Sequence, residues 1–429
     1  MPASVDVVVI GAGIIGVSTA WYLVRQGVSV LICEKGRVAG EQSSRNWGWV
    51  RQQGRDPAEL PIMMDSIRTW ENLADLAGED LGYSRQGSLY LAENDRDVAK
   101  FEQWLEVARQ HNLDTRILTG RQVNEMIDGS QSGWHGALYT ASDGRAEPDK
   151  AVPALARAAQ RQGCAIIENC AVRVVDTRGG EVCGVVTERG TVQAQRVVCA
   201  GGAWSSLFLR NAGIDFPQLM IRATVARTTP APNVFSGNAA SGSLAFRRRT
   251  DGGYSVALAD FLEHFISTDS FRYFRSFFPS LRASWSHLHL RTGDGPWRAL
   301  APGRPWDGGR KSPFEQTRVL NPEPSQWAVT QMRKRLAEQL PALAGIEFAE
   351  SWAGMIDTTP DVVPVMDNVA GYPGLYLAAG FSGHGFGIGP GAGQIMANLV
   401  TGRPVAYDLT RFRLPRFSDG SAIELGPVL

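Results

Sequence analysis

Residues 5–16 constrain this chain more than any other stretch. Val5, Val7, Val8, Val9 and Ile10 make a β-branched run that ends in Gly11-x-Gly13-x-x-Gly16 and passes directly into a helical pattern. In such a strand–turn–helix unit the first glycine permits the tight turn and the second lets a pyrophosphate reach the backbone. The third lets the helix pack close to the sheet. Ile14 and Ile15 open the helix, whose unpaired amides and positive dipole end face the phosphates. The helix is expected to run to about Gln26 with Gly27 as its cap, and Val28–Cys33 reads as the second strand. Glu34 stands at the end of that strand, where a carboxylate accepts the hydroxyls of an adenosine ribose. A dinucleotide-binding α/β domain is the expectation.

The following segment narrows the choice of dinucleotide. A nicotinamide-dependent fold would continue with alternating strands and helices, whereas Lys35 to Trp49 is a polar loop of small residues. Ser43 and Ser44 offer hydroxyls and amides to a pyrophosphate and Arg45 offers charge, with Lys35 and Trp47 at either end of the loop. This arrangement resembles the amino-acid oxidase superfamily of FAD enzymes, which includes D-amino-acid, glycine and sarcosine oxidases. The resemblance implies an α/β protein with a Rossmann-like FAD-binding domain carrying a β-meander, and a second, α+β substrate domain on an antiparallel sheet.

Charge and cysteine usage fit a metabolic enzyme. Lys plus Arg and Asp plus Glu both number 43 in 429 residues, so the net charge is zero and nothing points to a nucleic-acid partner. The five cysteines (Cys33, Cys164, Cys170, Cys183, Cys199) are odd in number and form no Cys-x-x-Cys, which reads as buried free thiols and no metal site. The first strand begins too early for a signal peptide, and no run of 18 apolar residues occurs. A cytoplasmic protein is expected, in contact with the inner membrane only at its periphery if at all.

Along the chain, residues 1–85, 150–217 and 345–429 are assigned to the FAD domain, and 86–149 with 218–344 to the substrate domain. A helix is expected over Asp149–Gln162. Short strands at Ala165–Ile167, Ala171–Asp176, Val182–Thr187 and Thr191–Val192 follow as a meander. Arg196–Cys199 is a buried strand opening at Ala200-Gly201-Gly202, with Trp204 just beyond. In the superfamily the meander brings backbone near Val172 to the adenine, and the glycine turn passes under the cofactor. Thr250–Tyr254 is a hairpin turn and Gln326–Gln339 a helix. Between them, about 269–322 is an insertion rich in Phe271, Tyr273, Phe274, Phe277, Phe278 and Trp285. Core packing is its expected role, with a subunit or peripheral membrane contact as the alternative.

The C-terminal part carries the most specific resemblance. Thr359-Pro360-Asp361, then Gly380-Phe381-Ser382-Gly383-His384-Gly385-Phe386-Gly387 and a helix, look like the end of the glycine and sarcosine oxidase group. This loop's amides are expected at the flavin, with His384 itself structural. Bacterial membrane L-amino-acid deaminases look more similar still. The matching pieces are Glu34-Lys35-Gly36, Ala39–Arg45, Asn169-Cys170-Ala171, Val185–Glu188 and Ser312-Pro313-Phe314-Glu315, although this chain starts at the fold, where they have a membrane helix. Two family anchors for a substrate carboxylate are missing. Ala257-Leu258-Ala259-Asp260 replaces the deaminase arginine, and Gly387 replaces the sarcosine oxidase lysine.

Arg51 is the carboxylate anchor that remains, since a guanidinium binds a carboxylate in bidentate fashion; a structural salt bridge is the alternative. Gln52, Gln53, Trp47 and Trp49 are the other residues expected near the substrate. The resemblance implies oxidation of the C–N bond of an amino acid or N-substituted amino acid, by hydride transfer to flavin N5, giving an imine that hydrolyses. Oxygen, a quinone or a redox partner protein takes the electrons. A dehydrogenase subunit and a non-catalytic flavin-binding assembly protein are the rival readings. Gly354 stands where some sarcosine oxidases place a flavin-tethering cysteine, so the FAD is expected to be non-covalent.

Overall fold

The computed structural model describes residues 1–130, 133–293, 295–301, 303 and 305–426. Its first sheet has six strands in the order 365–368, 375–379, 196–199, 7–10, 30–33, 165–167. All neighbours are parallel except the edge strand Val365–Asn368, which is antiparallel to Leu375–Ala379. Both faces are covered, which is why the first strand is apolar at every position. Val7 and Val9 point into a core shared with the helices Ile14–Arg25, Leu60–Ala77, Pro148–Arg161 and Gly385–Thr401. Val8 and Leu31 point the other way, into a core shared with a three-stranded meander.

That meander consists of Val172–Arg178, Glu181–Thr187 and Gly190–Gln193. Ala165–Ile167, expected as its first strand, instead extends the parallel sheet beside Val30–Cys33. Three residues with no alternation cannot announce which sheet they join; the helix Pro148–Arg161 delivers them there.

The second sheet runs 288–291, 262–265, 219–228, 254–258, 244–248, 238–240, 88–92, 136–140, 115–119. It is antiparallel apart from two parallel pairs, 238–240 with 88–92 and 262–265 with 288–291. Phe348–Thr358 also belongs to it, pairing along Leu219–Thr228. This corrects the assignment of everything after residue 345 to the FAD domain. The partner strand lies more than a hundred residues earlier, and local pattern cannot reveal so distant a pairing. A small sheet of Trp49–Val50, Gly144–Arg145 and Ser84–Arg85 joins the two halves.

The insertion departs from the expected core role. Tyr273 and Phe277 are buried, but Phe271, Phe274, Phe278 and Trp285 are 51–75% exposed. Its later part does pack inward: Phe314 meets Trp204, Phe208 and Trp306, and Glu315 pairs with Arg173 at 2.7 Å. Among the described residues no helix is long and apolar enough to cross a membrane.

Candidate active site

A cavity of about 460 Å³ runs from the Gly11–Ile15 turn to the loop at His384, bounded by both sheets. The three glycines of the turn divide their roles. Gly11 has φ +102°, and a Cβ there would sit 2.6 Å from the Ala200 carbonyl oxygen; at Gly16 it would sit 2.0 Å from the Gly11 carbonyl oxygen. Those two are required by the protein's own packing, and Gly16 does not reach the cavity. Gly13 does line it, and a Cβ there would approach only the Ser43 hydroxyl, at 3.1 Å. The open backbone is therefore at the position where a pyrophosphate would pass.

Glu34 is held at the cavity wall by two amides, Ala12 N–H at 2.8 Å and Gly36 N–H at 2.7 Å, one to each oxygen. Burial pushes its pKa up against those bonds. Each oxygen keeps a lone pair for a hydroxyl donor. Val172, Ala200, Gly201 and Trp204 line the same region. An open glycine backbone at a helix start, a fixed carboxylate at the next strand end and an elongated cavity fit FAD.

The 35–47 loop behaves differently from expectation at several positions. Lys35 lines the cavity, but its ammonium bonds Glu41 (2.7 Å), Thr317 O (3.0 Å) and Arg318 O (2.9 Å) and lies over Trp204. All three donors are used within the chain, so Lys35 fastens the end of the insertion across the site instead of contacting a phosphate. The Ser43 hydroxyl accepts the Ile14 N–H at 2.9 Å, while Ser44 turns away to the Glu41 carbonyl. Arg45 is tied to Asn321 and to the carbonyls of Ala353 and Gly40, so its charge sits at the wall already hydrogen-bonded. Trp47 lines the cavity and packs edge-on against Trp49.

At the other end, Gly383, His384, Gly385 and Phe386 line the cavity, but Gly380 and Gly387 do not. Gly380 donates its N–H to Asp357 at 2.8 Å, and the Gly387 carbonyl accepts from Ser66 and Trp70. A side chain at Gly387 would press on the Met63 methyl at 3.1 Å and the Trp49 carbonyl oxygen at 3.3 Å, so a lysine there would require these neighbours to shift. Asp357, missed in the sequence, is a buried wall residue whose pKa burial raises to about 6. On the sheet side the wall is apolar, with Val225, Leu258 and Ala259. Asp260 does not line the cavity: it pairs with Arg335 at 2.5 Å, so its charge is satisfied within the chain.

Of the residues expected at the substrate, Arg51, Trp47 and Trp49 line the cavity. The Arg51 guanidinium lies over Trp49 (5.7 Å) and Tyr90 (5.4 Å) and donates to the Gln53 carbonyl. Gln52 and Gln53 do not line the cavity. Both are buried, with their backbone amides on Asp143 and their side chains on Ser142 and Thr140. Buried Asp143 has its pKa raised to about 6 by desolvation.

Two further residues escaped the sequence reading. Arg55 lines the cavity at 3% exposure, makes no ion pair among the described residues and has an unpartnered Nη1. Burial, then the neighbouring Arg51, bring its pKa down to about 9. Glu59 is fully buried and meets His384 Nδ1 at 3.0 Å. Its burial works to raise the pKa, but the hydrogen bond with His384 and the charges of Arg55 and Arg51 outweigh it and hold the carboxyl below its ordinary value. Arg55 was visible as a second basic residue four positions after Arg51; nothing in sequence marked Glu59.

Fold and cavity together define a dinucleotide-binding α/β protein of the flavoenzyme class. The chain belongs to the FAD dependent oxidoreductase family, whose profile matches residues 6–399. It is 26% identical to the sarcosine oxidase subunit beta of Arthrobacter sp, over 98% of this chain and 93% of that one. Glycine oxidase of Pseudomonas aeruginosa is 24% identical over 94% of this chain and 96% of its own. Among solved structures, L-amino acid deaminase from Proteus myxofaciens in complex with anthranilate superposes with a TM-score of 0.93 at 32% identity. That match covers 97% of this chain and 94% of the other.

Proposed function

We propose that this protein oxidises the C–N bond of an amino acid or N-substituted amino acid, with FAD held non-covalently. The observation that carries the reading is Arg51, a guanidinium lining the same cavity as the glycine turn and Glu34. Arg51 binds the substrate carboxylate, Trp49 and Trp47 close one side, and the apolar wall of Val225, Leu258 and Ala259 faces the side chain. Bound FAD supplies the two-electron acceptor for the hydride leaving the substrate carbon. The residues position the substrate and exclude water until the imine forms, after which water hydrolyses it. Anaerobic mixing with D- and L-amino acids, N-methyl amino acids and opine-like secondary amines tests the proposal. Loss of flavin absorbance with at least one carboxylate-bearing amine is expected; no bleaching by any of them would favour a binding role without turnover.

A second reading concerns the electron acceptor. The exposed Phe271, Phe274, Phe278 and Trp285 lie among Arg272, Arg275 and Arg282 on an insertion whose far end is fastened over the cavity by Lys35. Such a surface suits a peripheral contact with the inner membrane or with a partner subunit, and electron delivery to a quinone or partner protein. Reduced enzyme mixed with oxygen separates the cases: rapid peroxide formation marks an oxidase, slow reoxidation a dehydrogenase.

A further inference from the structure

His384 and Glu59 form a pair whose geometry goes beyond cofactor binding. Glu59 Oε2 lies 3.0 Å and Oε1 3.4 Å from His384 Nδ1. Glu59 is wholly buried and does not line the cavity, whereas His384 does, with its side chain 20% exposed. With Nδ1 taken by Glu59, Nε2 is the ring nitrogen left for a group in the cavity that His384 lines. That nitrogen has no hydrogen-bond partner among the described residues. An ionised carboxylate can only accept, so it fixes the ring proton on Nδ1 and leaves the lone pair on Nε2.

The charges around the imidazole set its resting state. Arg51 and Arg55 reach it from the loop after Trp49–Val50, and Glu59 from the start of the helix Leu60–Ala77. Burial and Arg55 outweigh Glu59 and keep the imidazole pKa below its ordinary value, so the ring is neutral near pH 7. A neutral acceptor admits an ammonium group that a cationic histidine would repel. The same cavity thus offers a cation for a carboxylate, at Arg51, and an acceptor for an ammonium, at His384.

We propose that His384 Nε2 takes the proton from the substrate's ammonium group, with Glu59 as the positioning residue that fixes the tautomer and stabilises the imidazolium. The proposal rests on the amino-acid reading above. In this step one N–H bond of the substrate breaks and one N–H bond forms at Nε2. No electron changes hands, and the nitrogen lone pair set free is the one that later forms the C=N bond. Expulsion of hydride from carbon requires that lone pair, and at neutral pH most of an amino acid lacks it.

The test uses the holoenzyme and whichever amino acid of the screen bleaches the flavin fastest. Flavin reduction by the wild type should be nearly level between about pH 6.5 and 8, because the protein removes the proton. In His384→Ala only substrate already deprotonated in solution can react. Its rate should rise about tenfold per pH unit up to the amine's own pKa, and Glu59→Gln should lie between the two. Profiles of the same shape in wild type and both variants would overturn the proposal. A readout independent of turnover is the ¹⁵N NMR spectrum of histidine-labelled wild-type holoenzyme, which holds even if one variant fails to fold. His384 should appear at pH 7 as the Nδ1–H tautomer, and Glu59→Gln should mix the tautomers; an Nε2–H or doubly protonated ring in the wild type would overturn the assignment. Failure of every amine to bleach the flavin would sink the amino-acid reading and this one with it. Bleaching with coincident pH profiles would sink this one alone.

Discussion

Replacing Arg51 by alanine removes the cation that lines the substrate end of the cavity. The guanidinium is half-buried, backed by the rings of Trp49 and Tyr90, and held by the Gln53 carbonyl, so it is preoriented and only partly screened by water. A charge-assisted pair in such a place is worth roughly 2–4 kcal/mol, about 30- to 1,000-fold in affinity. Arg55 keeps a second positive charge nearby, which places the expected loss toward the lower end. The assay is KM for a carboxylate substrate beside KM for its decarboxylated analogue, with FAD content checked in both proteins. The carboxylate substrate should lose affinity by the stated factor while the analogue stays within about threefold. Equal losses for both ligands would show that Arg51 holds the fold or the cofactor, and the argument for a carboxylate anchor would fall.

Three other outcomes follow from the same geometry. Glu34→Ala should weaken FAD binding by about one to two decades, since charge-assisted hydrogen bonds worth roughly 1.5–3 kcal/mol are lost; unchanged affinity by flavin-release titration would contradict the ribose assignment. Acid precipitation should release all the yellow colour, because Gly354 at the cavity wall offers no thiol; colour in the pellet would refute non-covalent binding. Asp143 has a folded-state pKa of about 6 against an ordinary 3.8. The folded chain therefore binds more protons than the unfolded one between those values, and this group's contribution to stability falls as pH rises through about 4 to 6, by roughly 3 kcal/mol. Asp143→Asn should flatten that part of the urea-midpoint profile, leaving the similar contribution of Asp357; an unaltered slope would show that Asp143 ionises normally.

How much was legible in the sequence depends on how local each feature is. The helices Ile14–Arg25, Pro148–Arg161 and Gln326–Gln339 match the expected spans to within a residue or two, the first two with their glycine stops. The Gly11–Gly16 turn, Glu34 and the His384 loop do line one cavity, apart from the glycines that serve packing alone. These features are encoded in a few adjacent residues, because a tight turn or a helix start imposes its own backbone requirements. Tertiary structure decided the rest. It paired Phe348–Thr358 with a strand over a hundred residues away, turned Asp260 to Arg335, and spent two of the three Lys35 donors on the insertion. It also buried Glu59 behind His384 and left Arg55 without an ion-pair partner among the described residues. Such outcomes follow from which groups lose water together and must then satisfy one another, and that depends on contacts between segments far apart in the chain.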